Sequence, residues 1–329
     1  MPAPSPSPLM RLEAGSWRRT ELPIQPTDKI WMDGKLVDWE DATIHVLTHG
    51  LHYGSGAFEG IRAYETPKGT AVFRLEDHIH RLFRSCKVYA MEVPFTEDEI
   101  VQAVKDTVRE NAMTACYIRP LVYRGYGEMG LNPLPAPVNV LVAVWSWGLY
   151  LGEESRERGV RAKISSWKRL DHNILPPGAK ATGQYLNSSL AKVEALNAGY
   201  DEAIMLNMAG YVTDGSGENV FIVKDGALHT PPFQAGCLDG ITRDSVMTFA
   251  RHLGYEVIER NLSRFDLYTA DEAFFTGTAA ELAPIRSVDD RDVAVLGRGP
   301  VTAALQTAFF AAASGSEPTY DHWLTYVGA

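Results

Sequence analysis

The stretch Leu175-Pro-Pro-Gly-Ala-Lys-Ala-Thr-Gly-Gln-Tyr185 places Lys180 among small residues and glycines, just before a predicted helix. A lysine in an uncharged setting of this kind can serve as a nucleophilic amine for Schiff-base chemistry. An exposed loop position is the commoner interpretation of a lysine considered alone. Lysine is scarce in this half of the chain, where the others are Lys163, Lys168, Lys192 and Lys224.

Three further segments combine glycine with hydroxyl or amide groups at the predicted ends of strands. They are Gly215-Ser-Gly-Glu-Asn219, Gly240-Ile-Thr-Arg-Asp244 and Thr276-Gly-Thr-Ala-Ala280. In the second, backbone N–H groups, a hydroxyl and the positive end of a helix converge, which suits phosphate. A plain N-cap by Thr242 is the alternative. The sequence contains neither the GxxxxGK[ST] loop of ATPases nor a strand-linked GxGxxG dinucleotide motif, so a phosphate-bearing cofactor bound in another way is the remaining option.

Composition favours a folded protein whose partner is a small molecule. The chain has 329 residues, of which 45% are hydrophobic and 22% charged, enough for two domains and a sizeable core. A net charge of -10 argues against nucleic acid and acidic membranes as partners. No apolar stretch is long enough to span a membrane.

Cysteine usage and the N-terminus indicate the compartment. Cys86, Cys116 and Cys237 are odd in number and form no CxxC pair, so neither a disulfide framework nor a metal site is expected. The start of the chain, Met1-Pro-Ala-Pro-Ser-Pro-Ser-Pro8, lacks the pattern of a signal peptide. We therefore expect a soluble, cytoplasmic protein.

Hydrophobic patterning divides the chain into an α+β first part and a strand-rich second part. We predict a flexible Pro-rich tail over 1–27, a small domain over 28–147, a linker over 148–158 and a large domain over 159–329. In the first part, hairpins are predicted at 30–37 and 58–73, helices at 75–89 and 97–111, and a strand at 114–123. In the second, strands are predicted at 160–165, 202–205, 211–213, 220–223, 227–229, 256–259 and 273–276, and helices at 185–198, 242–253 and 301–312.

The strand at 114–123 carries two candidate site residues. Alternation places Tyr117 and Arg119 on the same face. The neighbouring Pro120 cannot donate a backbone hydrogen bond, so we expect this strand to lie at a sheet edge near a cleft.

In this order, the segments resemble the branched-chain amino acid aminotransferases, which are pyridoxal-phosphate enzymes of fold type IV. The resemblance implies an α+β fold with a small N-terminal α/β sandwich domain and a larger C-terminal pseudo-barrel domain. The segments that carry it are His52-Tyr-Gly-Ser-Gly-Ala-Phe-Glu-Gly-Ile-Arg62, Tyr117-Ile-Arg119, Gly127-Glu-Met-Gly-Leu-Asn132, Pro177-Gly-Ala-Lys180, Gly183-Gln-Tyr185, Gly217-Glu-Asn219, Gly240-Ile-Thr-Arg243 and Gly277-Thr-Ala-Ala-Glu281.

The resemblance implies pyridoxal 5′-phosphate as the cofactor and assigns residues to it. Lys180 would hold the cofactor as a Schiff base and move a proton during catalysis. Arg81 would bind the phosphate, and Tyr185 would hydrogen-bond the phenolic oxygen. Further donors to the phosphate would come from Ile241, Thr242 and Thr278.

The cofactor's pyridine nitrogen needs a carboxylate, and here the chain departs from the family's pattern. The family's glutamate falls on Asp214, one methylene shorter, while Glu218 is also part of the family's motif. We expect Asp214 to take the role, through a small backbone adjustment or a bridging water.

The implied reaction is transamination between L-leucine, L-isoleucine or L-valine and 2-oxoglutarate, by a ping-pong cycle. The substrate side chain would enter a pocket formed by Tyr53, Phe58, Gly60, Leu131 and Trp147, part of it contributed by a neighbouring subunit. The α-carboxylate would meet the backbone N–H groups of Thr278 and Ala279 and the Tyr117 hydroxyl. Arg119 would hold the second carboxylate of glutamate or 2-oxoglutarate.

Other functions remain open within the same fold type. The alternatives are a D-amino acid or (R)-amine aminotransferase and an aminodeoxychorismate lyase. A non-catalytic relative would be expected to have lost the lysine, which is present here. The expected assembly is a homodimer, with a trimer of dimers as a further option.

Overall fold

The structure, a computed structural model, describes residues 24–148, 151 and 154–328. Most of the predicted tail over 1–27 therefore lies outside the described residues. So do Leu149, Tyr150, Gly152 and Glu153 of the predicted linker.

Eight α-helices and seventeen strands are present in the described residues. The helices are α1 (His49–Tyr53), α2 (Leu75–Val88), α3 (Glu97–Glu110), α4 (Ser155–Arg158), α5 (Tyr185–Asn197), α6 (Ile241–His252), α7 (Arg264–Tyr268) and α8 (Pro300–Ala313). The strands are β1 (Lys29–Met32), β2 (Lys35–Asp38), β3 (Gly56–Phe58), β4 (Ile61–Thr66), β5 (Gly69–Phe73), β6 (Cys116–Arg124), β7 (Val138–Trp145), β8 (Val160–Lys168), β9 (Glu202–Leu206), β10 (Val212–Gly215), β11 (Asn219–Lys224), β12 (Ala227–Thr230), β13 (Val257–Glu259), β14 (Glu272–Gly277), β15 (Glu281–Val288), β16 (Arg291–Asp292) and β17 (Leu324–Tyr326).

The first sheet has the strand order β17-β5-β4-β6-β7-β1-β2, with β3 also paired to β6. Helices α2 and α3 pack against it through an apolar stripe that includes Ile79, Leu82 and Val104. Thr96 and Glu99 form a capping box at the start of α3. Both helices and the hairpins of this sheet are thus confirmed.

The prediction that the strand carrying Pro120 lies at a sheet edge is wrong. Strand β6 pairs with β7 on one side and with both β3 and β4 on the other. Arg119 and Pro120 occupy the interval between the β3 and β4 pairings, so the missing N–H of Pro120 breaks no ladder bond there. The gap in pairing, rather than an edge, accommodates the proline.

The second sheet has the order β10-β9-β8-β15-β14-β11-β12-β13, with β16 paired to β15. It mixes parallel pairs, such as β8 with β9 and β8 with β15, with antiparallel ones. Its predicted strands and its three predicted helices are confirmed. Four strands were not predicted, namely β7 and β17 in the first sheet and β15 and β16 in the second, and neither were the short helices α1, α4 and α7. Pro284 lies inside β15 and weakens the strand pattern there.

A shared apolar cluster joins the two sheets. It contains Phe73 from β5, Phe221 from β11 and Phe309 from α8. Strand β17 returns the C-terminal end of the chain to β5, with Leu324 in the same cluster. This packing fixes the cleft between the sheets. No helix in the described part of the chain is both long and apolar enough to cross a membrane.

Candidate active site

A cavity of about 540 Å³ lies between the two sheets. Its walls come from β3, β6 and the link between β3 and β4 in the first sheet, and from the β10–β11 turn, the start of α6 and the end of β14. Most of the residues expected at the site line this cavity. They are Phe58, Gly60, Arg81, Tyr117, Arg119, Trp147, Lys180, Tyr185, Asp214, Ile241, Thr242, Thr278 and Ala279.

The backbone of Lys180 is held by hydrogen bonds at both its N–H and its carbonyl group. Its N–H donates to Ser85 Oγ at 3.0 Å, and its carbonyl accepts from the Phe58 N–H at 3.0 Å. Its Nζ lies 2.5 Å from Tyr185 Oη and 5.1 Å from the centre of the Phe58 ring. The structure therefore brings the amine and the phenol together at the cavity wall, not in an exposed loop.

Arg81 enters the cavity from α2 and is fixed by a buried carboxylate. Its Nε and Nη2 donate to the two oxygens of Glu59 at 2.7 and 2.8 Å, and Nη1 donates to the Asp239 carbonyl at 2.6 Å. His78 Nδ1 lies 2.8 Å from Glu59 Oε2. Although burial raises the pKa of Glu59, Arg81 and His78 hold it well below its usual value. Glu59 was missed, although alternation with Phe58 and Gly60 turns it toward the core.

The start of α6 forms an anion-binding end of the cavity. Gly240 is the N-cap and no side chain caps the helix, so the alternative of a plain N-cap by Thr242 is wrong. A Cβ on Gly240 would lie 1.9 Å from Asn219 Oδ1, so only glycine allows this approach. With Thr242 buried beside Arg81 at the cavity wall, N–H groups, a hydroxyl and a guanidinium converge.

Two carboxyl groups line the wall formed by β10 and its turn. Asp214 Oδ1 accepts from Arg169 Nε at 2.8 Å and from Thr213 Oγ1 at 2.7 Å. Burial raises the pKa of Asp214, and Arg169 opposes this rise. Burial and the neighbouring Glu202 raise the pKa of Glu218 to about 8. Arg169, which also lines the cavity, was missed from sequence.

An aromatic wall faces the lysine. Arg119 lies over the Phe58 ring at 4.6 Å, and its Nη2 donates to Tyr117 Oη at 3.1 Å. The Tyr117 and Trp147 rings meet edge to face at 4.6 Å. A Cβ at Gly60 would lie 2.0 Å from Tyr117 Oη, so glycine makes room for the phenol. The wall thus combines aromatic rings with the guanidinium of Arg119 and the hydroxyl of Tyr117.

Arg62 clamps the turn between β14 and β15. Its Nε donates to the Thr278 carbonyl at 3.0 Å, and its Nη1 and Nη2 reach the carbonyls of Trp147 at 3.3 Å and Gly148 at 2.9 Å. The C=O and N–H of a trans peptide point in opposite directions, so the Ala279 N–H faces away from Arg62. This orients an anion-binding N–H at a residue that lines the cavity. The sequence analysis included Arg62 in the His52–Arg62 segment but gave it no role.

The residues present fit a phosphate-bearing cofactor with a carboxylated substrate. Among the described residues, Arg119 Nε and Thr276 Oγ1 are buried without a hydrogen-bond partner, and both residues line the cavity. Such groups are costly unless a ligand satisfies them. No group of three or more His, Cys, Asp or Glu side chains in that part of the chain is arranged to hold a metal ion.

Comparison with known proteins agrees with this geometry. The family model for amino-transferase class IV matches residues 56–288. The chain is 51% identical over 298 residues to a branched-chain-amino-acid aminotransferase of Pseudomonas aeruginosa, covering 91% of this chain and 97% of that protein.

The chain belongs to the class IV aminotransferases.

Solved structures of class IV aminotransferases superpose closely on it. The branched-chain aminotransferase of the thermophilic archaeon Thermoproteus uzoniensis, with norvaline, has a TM-score of 0.87 at 47% identity, covering 92% of this chain and 99% of that one. The Escherichia coli branched-chain amino acid aminotransferase has a TM-score of 0.90 at 47% identity, with the same coverage. A third such structure, with a TM-score of 0.89 at 49% identity, contains pyridoxamine 5′-phosphate. The predicted α+β fold of type IV is confirmed.

Two of the expected pocket residues of this class IV aminotransferase lie outside the cavity of the single chain. Tyr53, at the end of α1, is 46% exposed, and Leu131 is 89% exposed. Exposed apolar side chains accompany them on the same segments, including Val46, Leu51 and Leu134. The structure of one chain does not bring these residues to the lysine.

Proposed function

We propose that this protein is a pyridoxal-phosphate-dependent branched-chain amino acid aminotransferase. It transfers the amino group between L-leucine, L-isoleucine or L-valine and 2-oxoglutarate, giving branched-chain 2-oxo acids and L-glutamate by a ping-pong cycle. The observation that carries the proposal is the position of the Lys180 amine, 2.5 Å from the Tyr185 phenol, in a cavity that also holds Arg81 and the start of α6.

The cofactor supplies an electron sink for negative charge at the substrate Cα. The residues of the chain hold it and move the proton. Lys180 Nζ would hold the cofactor covalently and, once the substrate amine has displaced it, would carry the proton at the substrate Cα. Tyr185 Oη orients Lys180 Nζ and hydrogen-bonds the ring oxygen. Arg81, Thr242 and the N–H groups at the start of α6 bind the phosphate, supported by Ile241 and Thr278.

The aromatic wall accounts for two substrates in one site. Phe58, Gly60 and Trp147 offer a dry surface to an apolar side chain, at about 0.8 kcal/mol for each buried CH₂. Arg119, which lies over the Phe58 ring, supplies the charge that the second carboxylate of glutamate requires. The Tyr117 hydroxyl and the N–H groups of Thr278 and Ala279 receive the α-carboxylate common to all substrates.

The choice of the L-branched-chain reaction within the family is supported by the relatives. The protein of Escherichia coli K12, 49% identical over 304 residues, is a branched-chain-amino-acid aminotransferase, as is the Pseudomonas aeruginosa protein. Two further solved structures of a branched-chain amino acid aminotransferase hold N-(5′-phosphopyridoxyl)-L-glutamate and 4-methylvaleric acid, ligands with an acidic and an apolar side chain. These favour it over a D-amino acid or (R)-amine aminotransferase or an aminodeoxychorismate lyase.

Nitrogen transfer tests the proposed reaction. With ¹⁵N-labelled L-leucine and 2-oxoglutarate, we expect ¹⁵N-labelled L-glutamate. Lys180→Ala should abolish the transfer, since it removes the covalent anchor and the proton carrier. Lys163→Ala is the matched control because Lys163 lies near the ring of Tyr200, away from the cavity. Transfer from D-leucine alone, or full activity of Lys180→Ala, would contradict the proposal.

The same proposal includes a homodimer located in the cytoplasm. The exposed Tyr53 and Leu131 support it, because the partner subunit's Tyr53 and the partner subunit's Leu131 would complete the pocket. The three buried free cysteines suit a reducing compartment. A trimer of dimers is the larger assembly to look for by sedimentation.

Mixing two inactive variants tests the shared pocket. Lys180→Ala lacks the amine, and Leu131→Glu places a charge in the apolar pocket. If Leu131 acts across the dimer, mixed dimers regain one working site, because the Leu131→Glu chain keeps its lysine and receives a wild-type leucine from its partner. If Leu131 serves its own chain, mixing restores nothing.

A further inference from the structure

Two buried carboxyl groups compete for one role in the proposed enzyme. Asp214 and Glu218 are 7% and 6% exposed, and both line the cavity beside Lys180. The pyridine nitrogen of the proposed cofactor needs a negatively charged partner to stay protonated. Which carboxyl group is charged, and in which direction its oxygens point, therefore decides the arrangement of the site.

Arg169 makes contacts that distinguish the two. Its Nε and Nη2 both reach Asp214 Oδ1, at 2.8 and 2.7 Å. The same Oδ1 accepts from Thr213 Oγ1 at 2.7 Å. All side-chain contacts of Asp214 within the described residues fall on Oδ1, and the backbone of Leu238 adds a hydrogen bond to the carboxyl group. Oδ2, which no side chain contacts there, is therefore the oxygen that can face a ligand in the cavity that Asp214 lines.

Arg169 is itself held by three elements, one through its backbone and two through its guanidinium. Beyond the end of β8, the Arg169 N–H donates to the Leu206 carbonyl of β9 at 2.9 Å. Its Nη1 donates to Ser188 Oγ of α5 at 3.0 Å, and Nη2 donates to the Gly215 carbonyl of β10 at 2.6 Å. Both side chains of the Arg169–Asp214 pair are 10% exposed. A buried pair fixed in this way keeps one geometry.

We propose that Arg169 is the positioning residue that holds Asp214 charged and turned toward the ring nitrogen of the cofactor. This inference rests on the proposed function, since it concerns the cofactor of that reaction. By clamping one oxygen of a short side chain, Arg169 fixes the direction of the other. These Arg169 contacts thus fix where Oδ2 of Asp214 lies, although the side chain is one methylene shorter than that of glutamate.

Glu218 has the opposite environment. In the part of the chain that the structure describes, no lysine or arginine forms an ion pair with it. Its Oε2 accepts only the N–H of Gly217, at 3.1 Å, among the described contacts. The nearby cation Lys192 pairs with Glu202 at 2.6 Å instead. Lys192 still lowers the pKa of Glu218, but burial and the neighbouring Glu202 outweigh it and favour the neutral acid. Glu218 is therefore the weaker candidate for the charged partner.

The affinity of the apo-protein for two ligands tests the inference. They are pyridoxal 5′-phosphate and its 1-deaza analogue, in which CH replaces the ring nitrogen. Both can react with Lys180 and bind through the phosphate, so the ratio of their affinities reports the nitrogen contact alone. For a charge-assisted contact we expect wild-type protein to prefer the natural cofactor about 10- to 100-fold.

The inference predicts that Arg169→Met and Asp214→Asn bring this ratio close to one. Glu218→Gln and the surface control Arg161→Met, whose arginine pairs with Asp290, should keep the wild-type ratio. Equal weakening of both ligands in Arg169→Met, or no change, would assign Arg169 a structural role and overturn the inference. Loss of the preference in Glu218→Gln, with Asp214→Asn unaffected, would also overturn it.

Two further measurements distinguish a positioning role of Arg169 from a folding defect and from failure of the proposed function. If Arg169→Met does not fold, Arg169→Lys retains a charge without the two-donor fork, and a wild-type ratio in that variant overturns the positioning role. The ring of ¹⁵N-labelled pyridoxal 5′-phosphate should give a protonated-nitrogen NMR signal in wild-type protein and lose it in Arg169→Met. A wild-type protein that binds neither ligand would refute the proposed function itself.

Discussion

Arg119 is the residue on which dual substrate recognition depends. It lies against Phe58, Tyr117 and Trp145, and its Nε is buried without a partner among the described residues. An arginine stored on aromatic faces can turn to a carboxylate when one enters and return when the side chain is apolar. A charge fixed in the pocket would disfavour leucine, because burying that charge against an apolar side chain costs free energy of desolvation.

We expect Arg119→Met to slow the 2-oxoglutarate half-reaction about 10- to 100-fold, because only that substrate needs charge compensation. The L-leucine half-reaction should change far less. Single-turnover rates of the two halves, followed by the cofactor spectrum, measure both. Equal losses would instead mean that Arg119 holds the α-carboxylate or supports the fold.

Glu218 links the site to pH. The pKa of Glu218 is raised to about 8 from an ordinary value of 4.5. At pH values between these two, the folded protein therefore binds a proton at this residue that the unfolded chain has released. Stability from this group is fully present below pH 4.5 and is lost as the pH rises toward about 8. Glu218→Gln removes this titration.

The free energy of unfolding of apo Glu218→Gln should therefore fall less than that of wild-type protein across this pH range. Urea unfolding of both proteins at several pH values checks this. Parallel curves for the two proteins would show that Glu218 does not titrate there. Glu97→Gln, a change at an exposed position of α3, is the control and should follow the wild-type curve.

The residues found from sequence differ in kind from those that were missed. Lys180, Arg81 and Tyr185 belong to recognisable segments, so their positions could be predicted. Arg169 and Arg62 act on groups 45 and 216 residues away, and the sequence contains no local trace of such contacts. The role of each depends on where the chain returns.

At the scale of elements, the clamp between β4 and the turn after β14 aligns the binding of the α-carboxylate. Arg62 ties the carbonyls of Thr278, Trp147 and Gly148 together. We expect Arg62→Met to raise KM for L-leucine and 2-oxoglutarate by similar factors, on the order of tenfold, because one charge-assisted contact orients an N–H group used by both.

Steady-state kinetics with each substrate varied, together with cofactor affinity, test this expectation. The cofactor affinity should stay within a few-fold of wild type. A loss confined to 2-oxoglutarate would place Arg62 with the second carboxylate instead, and unchanged KM values would remove it from substrate binding.

Element prediction succeeded where local patterns were strong. The capping box of α3 and the apolar stripe of α2 each identify their helix. It failed at β15, which contains Pro284, and at the supposed edge position of Pro120, because pairing partners are set by tertiary structure. The strand existed as predicted, but its neighbours could not be known.

At the scale of the whole molecule, the site exists only because two sheets face each other. The first supplies Phe58, Arg119 and, from its helix α2, Arg81, while the second supplies Asp214 and Thr278. The apolar cluster that includes Phe73, Phe221 and Phe309 holds the two sheets at this spacing. Cofactor and substrate binding are thus properties of the assembled chain, and the resemblance across many separate segments is what made the site predictable.

The most direct test of the central claim is the absorbance spectrum of the purified holoenzyme during one cycle. Addition of L-leucine alone should convert the bound cofactor from its pyridoxal to its pyridoxamine form and release one equivalent of branched-chain 2-oxo acid. Subsequent 2-oxoglutarate should restore the first spectrum with formation of L-glutamate. A spectrum unchanged by L-leucine, or one that changes with D-leucine instead, would contradict the account.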